Sequence, residues 1–218
     1  MSGMRDETIL LLDVDNTLYA RSCGIVDRID ALIDRYLVER MQIDADEVRA
    51  RRRALRAAHG TTLRGLMLDH GIDPDDYLAF VHAIDVSAIL SLDAALAAML
   101  RRIPLPKVAV TNGSRAHASA VLDCLGVRAL FQRVYALEEL AYVPKPFPAA
   151  FQAVLDDLPA RAAACILVED SLPNLETARR LGMRTVYVGE EAPGDTADVT
   201  IASILELETA LARLPGGA

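Results

Sequence analysis

Three apolar runs along this chain stop abruptly in polar clusters. Ile9-Leu10-Leu11-Leu12 ends at Asp13-Val14-Asp15-Asn16-Thr17. Lys107-Val108-Ala109-Val110 ends at Thr111-Asn112-Gly113-Ser114, and Cys165-Ile166-Leu167-Val168 ends at Glu169-Asp170-Ser171. Short apolar runs bounded by turn formers read as strands buried on both faces. Helix-like patterns follow the second and third clusters. They are Ala116 to Leu125, with Gly126 as C-cap, and Leu175 to Leu181, with Gly182 in the same role. A further short strand, Thr185-Val186-Tyr187-Val188, precedes Gly189. Strands alternating with helices predict a doubly wound parallel α/β sheet of Rossmann-like form. The three polar clusters then meet at its carboxyl edge, where open α/β sheets bind ligands.

The stretch from about Tyr19 to Ile103 follows a different period. Ile25, Ile29, Leu32, Ile33, Tyr36 and Leu37 recur at helical spacing, and Leu78, Val81 and Ala88 to Met99 do so more loosely. No strand-like run interrupts them. The pattern predicts a helical insertion at 19–103 that returns near Pro104 and Pro106, with a core made of 1–18 and 104–218. An insertion that leaves and re-enters at the ligand edge is placed to act as a lid. Arg49, Arg51, Arg52, Arg53 and Arg56 form a basic helix face within it. Such a face is a solvated surface or an attractor of anionic substrate.

The end of the first strand carries the sharpest chemistry. Side chains alternate along a strand, so a strand continuing through Val14 points Asp13 and Asp15 the same way. Two carboxylates so close repel unless a cation lies between them or one holds a proton. The pair reads as a metal site, an acid/base pair, or both. The other reading is an Asx turn in which Asp15 and Asn16 serve as caps.

Composition narrows the classes. The chain has 218 residues, enough for one sizeable core and a smaller accessory unit, and 52% of them are hydrophobic. A net charge of −8 argues against a nucleic-acid polymer as partner, which needs a basic face. A small phosphorylated metabolite remains compatible, because a few donors reverse the field inside a cleft. Cys23, Cys124 and Cys165 have no metal-ligand spacing and are odd in number, which fits a reducing compartment. The first seven residues lack the apolar stretch of a signal peptide, and no run approaches the ~20 residues of a membrane span. The expectation is a cytoplasmic protein without membrane contact, monomeric or weakly dimeric.

Four elements stand in order: Asp13-Val14-Asp15-Asn16-Thr17, Thr111-Asn112-Gly113, Lys145-Pro146, and Glu169-Asp170-Ser171 with Asn174 beyond. This set resembles the haloacid dehalogenase-like superfamily of phosphohydrolases, and the resemblance covers the whole chain. The helical insertion after the first motif looks like the cap of that superfamily's first subclass. Three further segments are similar to pyrimidine 5′-nucleotidase-like proteins: His59 to Leu66, Glu169 to Asn174, and Ser203 to Leu207.

The resemblance implies a set of roles. Asp13 would be the nucleophile that forms an aspartyl-phosphate. Asp15 would protonate the departing oxygen and then deprotonate the attacking water. Pumps of the superfamily usually carry Thr at that second position and dehalogenases lack the second Asp, so Asp15 favours phosphate esters. Mg²⁺ would be held by the Asp13 carboxylate, the Asp15 backbone carbonyl and the Asp170 carboxylate, with Glu169 a ligand or a partner just behind. Thr111, the backbone N–H groups of Asn112 and Gly113, and Lys145 would hold the phosphoryl group. Asn174 would support the Asp170 loop or cap the next helix. The family often has Gly three residues before the Lys, where this chain has Tyr142.

Arg64 and Thr62, in a turn expected between Gly60 and Gly65, are the candidate substrate contacts of the lid. The four histidines, His59, His70, His82 and His117, show no ligand spacing and fall outside the core motifs. The implied activity is a Mg²⁺-dependent phosphatase of small monoesters, foremost nucleoside 5′-monophosphates. A phosphomutase shares all four motifs, and a non-catalytic nucleotide sensor would have lost catalytic residues that are all present here.

Overall fold

The computed structural model describes residues 7–190 and 194–215. Six strands form one sheet in the order β3-β2-β1-β4-β5-β6, and every adjacent pair is parallel. They are β1 (Ile9–Leu12), β2 (Lys107–Val110), β3 (Arg133–Tyr135), β4 (Cys165–Glu169), β5 (Arg184–Val188) and β6 (Val199–Ile201). Between β1 and β2 lie five helices: α1 (Ile25–Glu39), α2 (Val48–His59), α3 (Thr62–His70), α4 (Pro74–Val81) and α5 (Ala94–Arg102). Then come α6 (Arg115–Cys124), α7 (Pro148–Asp157), α8 (Leu172–Arg180) and α9 (Leu207–Leu211).

Alternation along the strands explains the layering. Leu10, Leu12, Ala109, Ile166 and Val168 join one core cluster, with α5, α6 and α9. Ile9, Leu11, Val108, Val110, Cys165 and Leu167 join the other, with α7 and α8. Each central strand is thus buried on both faces, which is why its sequence reads as an unbroken apolar run. The edge strands β3 and β6 have three residues each. They are too short to show a period, and the sequence pattern does not reveal them. The strand starting the third polar cluster extends one residue further than its apolar run, to include Glu169.

The insertion is helical throughout among the described residues, but it does not pack as one body. Tyr36, Leu37, Val48, Leu55, Leu63, Leu66, Tyr77, Leu78 and Val81 form a third core with Leu137 of the β3–α7 loop. Leu96, Met99 and Leu100 of α5 instead pack into the sheet cluster. Helix α1 bridges the two, with Ile25 against the sheet and Tyr36 and Leu37 in the third core. Gly60 (φ +83°) makes the tightest seam, because a Cβ there would lie 2.4 Å from the Phe147 ring. Only a glycine lets α2 and α3 turn so close to the loop that carries Lys145.

No helix among the described residues is long and apolar enough to cross a membrane. The reading of the first residues as lacking a signal peptide falls largely outside the described residues.

Candidate active site

The polar clusters at the ends of β1, β2 and β4 line one cleft of about 760 Å³, roofed by α1, α2 and α4. The strand itself does not aim Asp13 and Asp15, as alternation would have it. β1 ends at Leu12. The Asp13 N–H still bonds Val168 O at 3.0 Å, and a turn then forms, closed by Leu18 N–H on Val14 O and passing through Asn16 at φ +60°. Both carboxylates reach the cleft because of that turn.

Lys145 is the hub. Its side chain is 1% exposed, which rules out a surface lysine. All three ammonium hydrogens are used. They go to Asp13 Oδ1 at 2.8 Å, Glu169 Oε2 at 2.6 Å and Val110 O at 2.7 Å. Burial alone would lower this lysine, but the charges of Asp13 and Glu169 overcome it and hold the amine above its ordinary range. Asn112 clamps the same residue through its backbone. The Asn112 side chain donates to Lys145 O at 2.9 Å and accepts from Lys145 N–H at 2.8 Å. The loop before Lys145 runs through Ala141 and Tyr142 at φ +50° and +58°. Tyr142, standing where a glycine is often found, takes a left-handed conformation that a glycine would adopt with less strain.

Three carboxyls crowd around that one cation. Oxygens of Asp13, Glu169 and Asp170 lie within 4.8 Å of one another. Burial, then the nearby Glu169 charge, push the Asp13 carboxyl up to about 7. Burial also raises Glu169, and burial and Asp13 raise Asp170. Thr17 donates to Asp13 Oδ2 at 2.9 Å, and Ser171 N–H reaches Glu169 Oε1 at 3.3 Å. Asn16 offsets part of the rise in Asp170, while its own Oδ1 is buried without a partner. A cluster of hard oxygen donors, short of positive charge and with a spare amide oxygen beside it, fits a small divalent cation such as Mg²⁺.

Asp15 behaves in the opposite sense. Burial would raise it, but His117 and then Tyr19 overcome burial and hold it below the ordinary carboxylate range. Neither partner is legible in the motifs. His117 looks like an isolated helical histidine in the sequence, yet its Nε2 lies 2.7 Å from Asp15 Oδ1. The one available signal is its position, four residues past Gly113 in the first turn of α6, on the side that faces the sheet edge.

The remaining expectations divide. Thr111 is buried and lines the cleft. The Gly113 N–H, expected to face a phosphoryl group, donates instead to Thr111 Oγ1 at 2.9 Å. Asn174 lies inside α8, whose N-cap is Ser171, so it is not a cap; its buried side chain borders the cleft. The turn expected through Gly65 is shorter, because α3 begins at Thr62 with Thr61 as N-cap, and Thr62 reaches the cleft. Arg64 does not line it. Its guanidinium lies over the Phe147 ring, 4.9 Å from the centroid, against the loop that carries Lys145. In its place, Arg52 and Arg56 of the basic helix face do line the cleft. Arg52 is pinned by Asp30 and, at 2.8 Å, by Asp34.

A sequence model described as haloacid dehalogenase-like hydrolase matches residues 8–182. Solved structures align over nearly the whole chain. A HAD phosphatase from Thermococcus onnurineus superposes with a TM-score of 0.64 at 20% identity, covering 95% of this chain and 99% of its own. A magnesium-bound HAD-hydrolase from Bacillus subtilis gives 0.63 at 17%, covering 94% and 98%. A 2-haloacid dehalogenase from Pseudomonas syringae pv. Tomato gives 0.61 at 21%, covering 95% and 99%. At these identities the likeness bears on the fold, and the neighbours include both ester and carbon–halogen chemistry.

Proposed function

The chain belongs to the haloacid dehalogenase-like hydrolases, and within that family we propose that it is a Mg²⁺-dependent phosphatase of small monoesters, acting through an aspartyl-phosphate on Asp13. The observation that carries this reading is Asp15: a second, half-buried carboxyl two residues from the first, held by its own donors and facing the same cleft. Dehalogenation needs no acid to release halide, whereas an alkoxide leaving group does.

In this reading the Asp13 carboxylate attacks phosphorus in line, and the ester oxygen departs with a proton from Asp15, a carboxylate in the free protein that takes up its proton beside the negative charge of the bound phosphate ester. Asp15, now ionised, takes a proton from the water that hydrolyses the aspartyl-phosphate. Lys145 has no hydrogen left to offer a substrate, so its part is to offset charge on Asp13 and the incoming phosphoryl group. Thr111 and the Asn112 backbone N–H receive phosphoryl oxygens. The Asp13 and Asp170 carboxylates and the Asp15 carbonyl would hold Mg²⁺, with Glu169 backing them through Lys145. The ion when bound supplies electrostatic stabilisation of the phosphoryl oxygens.

Nucleoside 5′-monophosphates are the proposed substrates. The cleft lies within the usual size range of ligand pockets. Its helical wall offers Arg56, Thr61 and Thr62 as polar contacts beside aliphatic Val26, Ile29, Ile33 and Leu63. A screen of phosphorylated metabolites for released phosphate, with Mg²⁺ and with chelator, tests the proposal. Metal-dependent release from nucleoside monophosphates is the expected result. Release of halide from 2-haloacids without phosphate release from any ester would overturn it.

A further inference from the structure

Asp15 is engaged on one oxygen only. The Tyr19 hydroxyl donates to Oδ1 at 2.6 Å, and His117 Nε2 approaches the same Oδ1 at 2.7 Å. A carboxylate oxygen accepts, so Nε2 carries the hydrogen. Oδ2 accepts no bond among the described residues. It lies beside Gly113, 3.4 Å from where a Cβ on that residue would stand.

The two donors are themselves fixed. The His117 side chain is fully buried, and its Nδ1 has no partner. What holds the ring is a stack on His82, with centroids 4.7 Å apart and planes 25° from parallel. His82 caps α4 in the helical segment, and its Nδ1 lies 3.1 Å from Leu78 O. Tyr19 is buried in the sheet cluster.

We propose that Tyr19 and His117 are positioning residues that clamp Oδ1 of Asp15, so that Oδ2 alone faces the leaving group. The proposal rests on the reading of Asp15 as the acid. A protonated carboxyl carries its hydrogen on one oxygen, and the other remains an acceptor with two lone pairs. Both donors can therefore stay on Oδ1 before and after transfer, and they favour the carboxylate that transfer leaves behind. As Asp13 forms its bond to phosphorus, the phosphorus–ester bond breaks. The departing oxygen takes the Oδ2 hydrogen, and Asp15 is left a carboxylate with Oδ1 still held. A carboxyl free to rotate would spend part of its time presenting the wrong oxygen.

Leaving-group dependence separates aiming from folding. Phenyl phosphate and p-nitrophenyl phosphate have nearly the same shape, but only the first has a leaving group that needs a proton. The measurement is the ratio of kcat/KM on the two substrates, which does not depend on the fraction of enzyme correctly folded. Tyr19→Phe and His117→Leu should each lower phenyl phosphate turnover at least about tenfold more than p-nitrophenyl phosphate turnover, part of the ~10²–10⁴ that a positioned proton donor contributes. His117→Gln, whose amide can donate to Oδ1, should recover much of the ratio. Equal losses on both substrates, or Gln no better than Leu, would overturn the clamp. Asp15→Asn is the control. If it is selective while the Tyr19 and His117 variants are not, the clamp alone fails; if it too is unselective, the reading of Asp15 fails with it.

Discussion

The two walls of the cleft are built on opposite principles. At the sheet edge the charged and polar groups are tied to one another, and Asp13, His117, Lys145 and Glu169 among them are buried. Lys145 holds Asp13 and Glu169, Asn112 holds Lys145, and Tyr19 and His117 hold Asp15. On the helical wall Arg52 is pinned by Asp30 and Asp34, but Arg56 is exposed and makes no ion pair among the described residues, with aliphatic side chains beside it. Preorganised charge at the sheet edge suits a reaction centre, where the groups must not move as charge develops. A loosely furnished wall suits recognition, where contacts adapt to a ligand. Substitutions should therefore cost turnover and stability on one wall and only selectivity on the other.

Asp13→Asn should give the largest effect. The amide keeps the shape and still accepts from Lys145, but it is a poor nucleophile. Turnover should fall by on the order of 10⁴ or more while the melting profile stays cooperative. Retained activity in rigorously purified variant would remove Asp13 from the chemistry.

Lys145→Met probes how tightly the sheet edge is coupled. It leaves Asp13 and Glu169 buried without their cation, a loss of about 3–5 kcal/mol in the metal-free protein, read from urea unfolding. A cost below about 0.5 kcal/mol, the usual range for a surface change, would mean that the hub is not structural.

Protonation offers a graded test of the same wall. Asp13, with its pKa raised to about 7, holds a proton below that pH which a cation must displace. Mg²⁺ affinity should therefore weaken as pH falls from 8 to 6. The raised pKa also means that the metal-free fold loses stability as pH rises from the ordinary value of 3.8 through about 7. Added Mg²⁺ should raise the melting temperature more at pH 8 than at pH 5. Thermal shifts across a pH and Mg²⁺ grid measure both effects, and a pH-independent Mg²⁺ response would contradict them.

Arg56→Ala should be the mildest. Stability should stay within about 0.5 kcal/mol of the parent, while KM rises for the preferred nucleoside monophosphate and hardly moves for p-nitrophenyl phosphate. A collapse of turnover on both substrates would place Arg56 in the reaction centre and erase the contrast between the walls.

What the sequence revealed follows the same division. The sheet-edge groups sit in short contiguous motifs at strand ends, where burial on both faces makes a recognisable apolar run, and Asp13, Thr111, Lys145, Glu169 and Asp170 meet as their order implies. Of the partners of Asp15, Tyr19 stands four residues on, just past the motif, and only His117 comes from elsewhere. His117 is 102 residues away in sequence, and its relation to Asp15 depends on β1 and β2 being neighbours in the sheet. On the helical wall, a period tells which side of α2 is basic but not which arginine turns inward. The sequence singles out Arg64 as the ligand contact, yet Arg56 lines the cleft and Arg64 covers Phe147. Local pattern yields the element, whereas the choice between them is made by packing at the Gly60–Phe147 seam.

The central claim is a covalent phosphoryl group on Asp13. It is tested by mixing enzyme with Mg²⁺ and a nucleoside monophosphate, quenching in acid within the first turnover, and mapping the modified peptide by mass spectrometry. The account predicts the mass of one phosphoryl group on the peptide carrying Asp13, absent in Asp13→Asn and lost on treatment with hydroxylamine. Rapid phosphate release with no such adduct at any quench time, or an adduct on a different residue, would contradict it.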